Sequence, residues 1–221
     1  MQTALAEDLH ACWFGQALET AADARTRVKL WFSHDPEFDS LLTQRFGDLP
    51  RRVLEGEFDH WAHAPRCALA RILALDQLPR NIFRNRALAY AFDACALSAA
   101  AAAVAAGYDR ELQALEAVFV YLPYEHAEDL SMQVRAIGLF EALRSRAPED
   151  LQQLFAGFVD SAHRHHEVVR RFGRFPHRND VLGRTSTPEE RAYLGKGGER
   201  FGSRRRKRKI TSPPAQGRAS G

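Results

Sequence analysis

Phe155-Ala156-Gly157-Phe158-Val159-Asp160-Ser161-Ala162-His163-Arg164-His165-His166-Glu167-Val168-Val169-Arg170-Arg171-Phe172-Gly173 settles the fold class, because its apolar residues recur at helical spacing with charges between them. At about 100° per residue, Leu151, Phe155, Phe158, Ala162, Val169 and Phe172 form one stripe, and Asp160, Arg164, Glu167 and Arg171 face away from it. This pattern makes a helix from Pro148 to Phe172, with Gly173 placed to turn left-handed after its end. His165 falls inside the stripe, His166 at its margin and His163 further out.

The same period runs through most of the chain, and no alternating run is long enough to require a sheet. Leu5 to Trp13 forms a short first helix. Asp35 and Pro36 open another that carries Phe38, Leu41, Leu42 and Phe46 inward, with breaks at Gly47 and Pro50 and an end at Gly56. Pro65 starts a helix through Leu69, Ile72, Leu73 and Asp76, which the ring of Pro79 is expected to stop. Asn85 is expected to cap a long helix ending at Gly107, whose alanines at 99–103 allow a neighbour to approach closely. After Asp109 a helix with Leu112, Leu115 and Phe119 stops at Pro123, and the next spans His126 to Arg144. Thr187-Pro188-Glu189-Glu190 matches a capping box and places a last helix before Gly195. About seven to nine helices with short connections predict an all-α array of antiparallel neighbours. No period of about 34 residues marks a repeat solenoid.

A chain of 221 residues, 45% apolar and 27% charged, suits one sizeable core. The expectation is one helical domain over 1–202 and a tail over 203–221. Seven of the 31 Lys and Arg residues lie beyond Gly202, where there is no Asp or Glu, so the body carries about −4. The tail, with its basic run Arg204-Arg205-Arg206-Lys207-Arg208-Lys209, reads as a disordered extension, and weak binding of RNA or anionic lipid through 204–209 is its alternative. With no apolar run of about 18 residues and no signal-like start, the chain is expected to be cytoplasmic. Cys12, Cys67 and Cys95 lie too far apart for a disulfide framework or zinc motif and are expected to be reduced core residues.

Function is sought among polar groups that point the wrong way. Asp76 turns with Leu69 and Ile72 and needs a partner there, since a lone buried carboxylate costs several kcal/mol. In the His126 helix the expected stripe is Leu130, Val134, Ile137 and Phe140, with His126, Asp129 and Gln133 on it or at its edge. Glu125, Glu128 and Asp129 also suit the positive end of a helix dipole. Beyond the expected end at Pro79, Arg80 and Asn81 either bind a ligand or satisfy free carbonyls. The Arg171 to Asn179 loop either clamps an anion through Arg174 and Arg178 or closes over Asp76 and Asp129, with Phe172 and Phe175 as anchors. Together these groups form either one satisfied network or the lining of a polar pocket. His126 and Asp129, with His165 converging, are the only metal arrangement suggested. No specific histidine or cysteine motif supports it, so no metal is expected and no cofactor is identified. Phosphate-cradling glycines, a Gly-x-Ser-x-Gly elbow and a zinc-protease helix are absent.

The order of several longer motifs resembles a known family. They are Trp13-Phe14-Gly15, Leu75-Asp76-Gln77-Leu78-Pro79-Arg80-Asn81 with Phe83-Arg84, Leu122-Pro123, His126-x-Glu128-Asp129 with Gln133, His165, the run Phe172-Gly173-Arg174-Phe175-Pro176-His177-Arg178-Asn179, Leu182-Gly183-Arg184, Ser186-Thr187 and Glu190. Over about residues 10–202 they are similar to the bacterial domain of unknown function 924, a group of tetratricopeptide-repeat-like helical proteins. Ala127 stands where that family usually has serine, and the basic tail lies outside its pattern. The resemblance implies a right-handed helical superhelix and supplies no reaction.

The resulting expectation is an internal polar pocket for a small anionic ligand. Its candidate acid–base groups are His126 and His165, oriented by Asp129 or Asp76, and its binding groups are Gln77, Arg80, Asn81, Gln133, Arg174, His177, Arg178 and Asn179. The alternative is an interaction scaffold that binds a protein segment, with the same motifs as structural braces.

Overall fold

A computed structural model describes residues 2–15, 18 and 20–201, so the expected tail lies outside the described residues. The helices are α1 (Gln2–Phe14), α2 (Ala21–Phe32), α3 (Pro36–Phe46), α4 (Leu49–Leu54), α5 (Pro65–Ile82), α6 (Asp93–Ala105), α7 (Tyr108–Glu111), α8 (Ala114–His126), α9 (Leu130–Ser145), α10 (Gln152–Phe172) and α11 (Pro188–Gly195). Tight 3-10 turns occupy Asp59–His63, Ala87–Tyr90, Glu149–Leu151 and Pro176–Arg178. Among the described residues there is no strand, and the fold is all-α, as the periodicity requires.

α5 is the hub. It packs against α1, α3, α4, α6 and α8, and every residue from Ile72 to Pro79 is buried. α9 lies between α8 and α10. The apolar core centres on Phe119 of α8, whose ring meets Trp13 and Phe14 edge-on at 5.5 Å and Trp31 at 4.7 Å. Removing such a ring costs about 3–5 kcal/mol. In α6, Ala96, Ala100 and Ala103 are buried, and this small-residue face packs on α5 and α8.

Two prolines overturn the expected helix ends. α5 runs through Pro79 and α8 through Pro123. A helical proline forfeits one backbone hydrogen bond and crowds the preceding turn. Here both rings sit in the last turn, on helices buried along nearly their whole length, so packing holds that turn in place. Those last turns carry Arg80, Asn81, Glu125 and His126.

Other expectations fail in phase or boundary. α2 was not foreseen, although Thr20 caps it by accepting from the Asp23 amide. Asn85 caps no long helix. It takes φ +64°, a 3-10 turn comes next, and α6 begins only at Asp93. The interrupted stretch Ala87–Ala105 has a mean hydropathy of 1.6, enough by length and composition for a membrane span.

His126 ends α8 rather than starting the next helix, and Asp129 is the N-cap of α9. The face of α9 is also rotated from the expected one. Leu130 and Val134 are exposed, whereas Gln133, Ala136, Phe140 and Leu143 are buried. Leu41 is exposed as well. Cys95 is exposed and the other two cysteines are half-buried, so none is a full core residue. The long helix keeps its expected face, and Gly173 closes it at φ +68°.

Candidate functional site

A cavity of about 490 Å³ opens between α2, α5, α8 and α10. Its apolar lining includes Val28, Trp31, Phe32, Leu122, Leu154 and Phe158, and its polar lining Gln77, Arg80, Asn81, Arg84, Tyr90, Glu125, His126, Ser161, His165 and His177. The last turns of the two proline-bearing helices therefore bring Arg80, Asn81, Glu125 and His126 to the cavity, and α10 adds Ser161 and His165.

Asp76 is fully buried behind that wall. Its carboxylate lies 2.8 Å from His126 Nδ1 and 3.1 Å from Arg80 Nη1, and accepts from Gln77 Nε2. Burial works to raise its pKa, but Arg80 and then His126 outweigh burial and hold it well below the usual carboxylate range. An ionised carboxylate accepts only, so His126 Nδ1 carries the hydrogen and neutral His126 keeps its lone pair on Nε2. Burial, then the Arg80 charge, moves His126 below its ordinary value despite Asp76, so the neutral form prevails at neutral pH.

A second pair stands beside the first. His165 Nδ1 lies 2.9 Å from Glu125 Oε1 and 2.9 Å from the Ser161 carbonyl, and the Ser161 hydroxyl donates to Glu125 Oε1 at 3.0 Å. Burial raises the Glu125 carboxyl, yet His165 first, then His126 and Ser161, bring it below the ordinary value. The two imidazoles are 6.3 Å apart, centroid to centroid. Both line the cavity, and among the described residues neither Nε2 has a hydrogen-bond partner.

The arginines are mostly spent on carboxylates. Arg80 grips Asp93 at 2.9 and 3.0 Å, and Arg84 grips Asp39 at 2.8 Å through Nε and Nη2. Arg84 Nη2 also donates to Asn81 Oδ1 at 3.1 Å. Arg84 Nη1 and Asn81 Nδ2 have no hydrogen-bond partner among the described residues, and both residues line the cavity.

Several expected site residues are elsewhere. Arg174 binds Glu190 through Nε at 2.6 Å and Nη2 at 2.9 Å, and Asn179 donates to the same carboxylate at 3.1 Å. Arg178 is buried on Asp93 at 3.1 Å, with its guanidinium 4.6 Å from the centres of both the Tyr90 and Phe175 rings. Gln133 donates to the carbonyls of Glu125 and Ala127, fastening α9 to the end of α8. Asp129 is exposed and caps α9, so it orients neither histidine. The expected closure of Arg174 and Arg178 over Asp76 and Asp129 does not occur either, because their partners are Glu190 and Asp93.

Gln77, Arg80, Asn81, His126, His165 and His177 do meet at the cavity, with Asp76 directly behind. Sequence reasoning missed Glu125, treated only as a dipole partner, and Ser161, Arg84 and Tyr90. Ser161 lies one turn before His165 on the same face and was the one legible signal. His177 is held down to about 2 by burial and then Arg178, and its buried Nδ1 has no partner among the described residues. No group of three or more His, Cys, Asp or Glu residues able to hold a metal is found among the described residues.

Residues 9–198 match the model of a family described as bacterial protein of unknown function (DUF924). The chain is similar to a solved structure of a protein of unknown function from Agrobacterium tumefaciens, at 37% identity and a TM-score of 0.75, covering 89% of this chain and 100% of that one. No curated protein matches it. Glu199 and Phe201, which also line the cavity, lie just past the matched residues, and Phe201 stacks on His165 at 3.5 Å.

Proposed function

The chain belongs to the DUF924 family, and within that uncharacterised family we propose that it binds a small organic anion in the central cavity. The observation that carries this reading is the pair of donors without a hydrogen-bond partner among the described residues, Arg84 Nη1 and Asn81 Nδ2, in a cavity that Trp31, Phe32 and Phe158 also line. Such a lining suits a carboxylate at one end of the ligand and an aromatic or branched body at the other. The volume suits a molecule of metabolite size.

The scaffold alternative is favoured for one region only. Arg174, Arg178 and Arg184 end on Glu190, Asp93 and Glu128, which supports a bracing role for that loop. The cavity wall keeps donors in reserve and fits a ligand better.

Titration with 3-phenylpropionate, monitored by tryptophan fluorescence, tests the proposal. Saturable quenching is expected, weakened about tenfold by Arg84→Met, the loss of one charge-assisted contact. Quenching that is absent, or indifferent to both Arg84→Met and Phe158→Ala, contradicts it.

A further inference from the structure

The two histidines do not resemble core histidines satisfied on both ring nitrogens. Each has Nδ1 fixed by a buried carboxylate, Asp76 at 2.8 Å and Glu125 at 2.9 Å, and each leaves Nε2 without a partner among the described residues on the same cavity wall. One such arrangement is common enough as a structural feature. Two of them, on different helices and with rings 6.3 Å apart, place two atoms able to take or give a proton at a space of ligand size.

We propose that His126 and His165 act as an acid–base pair that moves a proton between two positions of one bound 2-oxo acid, interconverting its keto and enol forms. This rests on the anion-binding reading above. In the direction of ketonisation, His126 Nε2 takes the enol O–H proton as the C=O bond forms. His165, as imidazolium paired with Glu125, delivers a proton to the adjacent carbon as the C=C bond is lost. His126 then releases its proton to solvent and His165 regains one, so both atoms and charge balance over a cycle. Arg84 and Asn81 hold the carboxylate, while Asp76 and Glu125 are positioning residues that fix which ring nitrogen faces the ligand.

The Ser161 hydroxyl, beside His165, donates to Glu125 instead of facing an Nε2 as an activated nucleophile. His126 is kept neutral by burial and Arg80, the form that a base needs at neutral pH.

The probe is enolic phenylpyruvate, added to the full chain at pH 7, with ketonisation monitored by absorbance. Acceleration over buffer of about a hundredfold is expected, the lower end for acid–base catalysis. His126→Asn and His165→Asn should each return it to the buffer rate while retaining 3-phenylpropionate binding. If the variants fold poorly, the unaltered protein decides. In D2O it should place deuterium on one face of the carbon, where buffer alone gives both, and its rate should fall on the acid side only below the ordinary imidazole value. Ketonisation at the buffer rate by protein that binds 3-phenylpropionate overturns the proton transfer and leaves the binding reading intact. Deuteration of both faces overturns it as well. Failure of 3-phenylpropionate to bind removes both readings.

Discussion

The cavity wall and the Arg174 to Arg184 loop are built from the same side chains but use them differently. In the loop, Arg184 meets Glu128 through both terminal nitrogens while the Phe175 amide donates to that carboxylate at 2.7 Å. Glu190 likewise takes Arg174, Asn179 and the Thr187 amide of its own capping box. These carboxylates consume donors. In the cavity Asp76 and Glu125 also take donors, from Arg80, Gln77 and Ser161, but each leaves the far nitrogen of its imidazole without a hydrogen-bond partner among the described residues. A count of arginines and histidines therefore does not locate a site. What distinguishes the two regions is which donors and lone pairs remain after internal pairing.

The widest separation between the regions is expected in stability. Glu128→Ala leaves the Phe175 amide without its acceptor and Arg184 without its carboxylate, holding only Asn179 Oδ1 and the Phe175 carbonyl, and a loss of about 3 kcal/mol is expected, lowering the thermal midpoint by roughly 6–12 °C. His126→Asn in the cavity leaves Asp76 with Arg80 and Gln77, so a loss of only about 1–2 kcal/mol is expected. Equal losses in thermal melts would erase the distinction between brace and site.

Acid should act on the two regions in different pH windows. His177 has a folded value of about 2 against an ordinary 6.5, so its contribution is complete above pH 6.5 and declines below, where the unfolded chain takes a proton that the folded chain refuses. The expected slope is about 1.4 kcal/mol per pH unit for one proton. His126, also lowered, adds to the same window. Glu190, held at about 2 by Arg174 against an ordinary 4.5, contributes fully above pH 4.5 and loses that contribution as pH falls toward 2. Denaturant melts of His177→Leu should show a shallower decline between pH 6.5 and 4.5, and no loss at pH 7, since an unpartnered buried nitrogen is removed. An unchanged slope would mean that His177 takes up its proton in the folded state.

The smallest stability effect is expected at Phe201. Its ring covers His165 from a residue with φ +45°, outside the family match. Phe201→Ala should change stability by no more than about 1 kcal/mol, because the ring is only partly buried. It should nevertheless speed carbethoxylation of His165 by diethyl pyrocarbonate, read by mass spectrometry. An unchanged rate would show that the ring does not restrict access.

Much of the fold was legible because α10, α3 and α11 carry their own signals: an unbroken stripe, Asp35 with Pro36, and a capping box. The errors came where tertiary packing overrode local rules. Nothing local shows that Pro79 and Pro123 lie in helices buried tightly enough to tolerate a missing hydrogen bond. Starting a helix at His126 instead of ending one there displaced the whole α9 face and drew Asp129 into the site. The inward positions of Asp76 and His165 were read correctly, since each lies on the apolar face of a strongly periodic helix. Their partners could not be read that way. Asp76 pairs across 50 residues with His126, and Arg178 reaches Asp93 across 85, distances over which helical spacing carries no information.

A crystal structure of the protein with 3-phenylpropionate addresses the division of labour at its source. The carboxylate is expected within hydrogen-bonding distance of Arg84 Nη1 and Asn81 Nδ2, the phenyl ring against Trp31 and Phe158, and the Arg174, Arg178 and Arg184 pairs unchanged. A carboxylate bound instead by the loop arginines, with Glu190, Asp93 or Glu128 displaced, would reverse the roles assigned to the two regions.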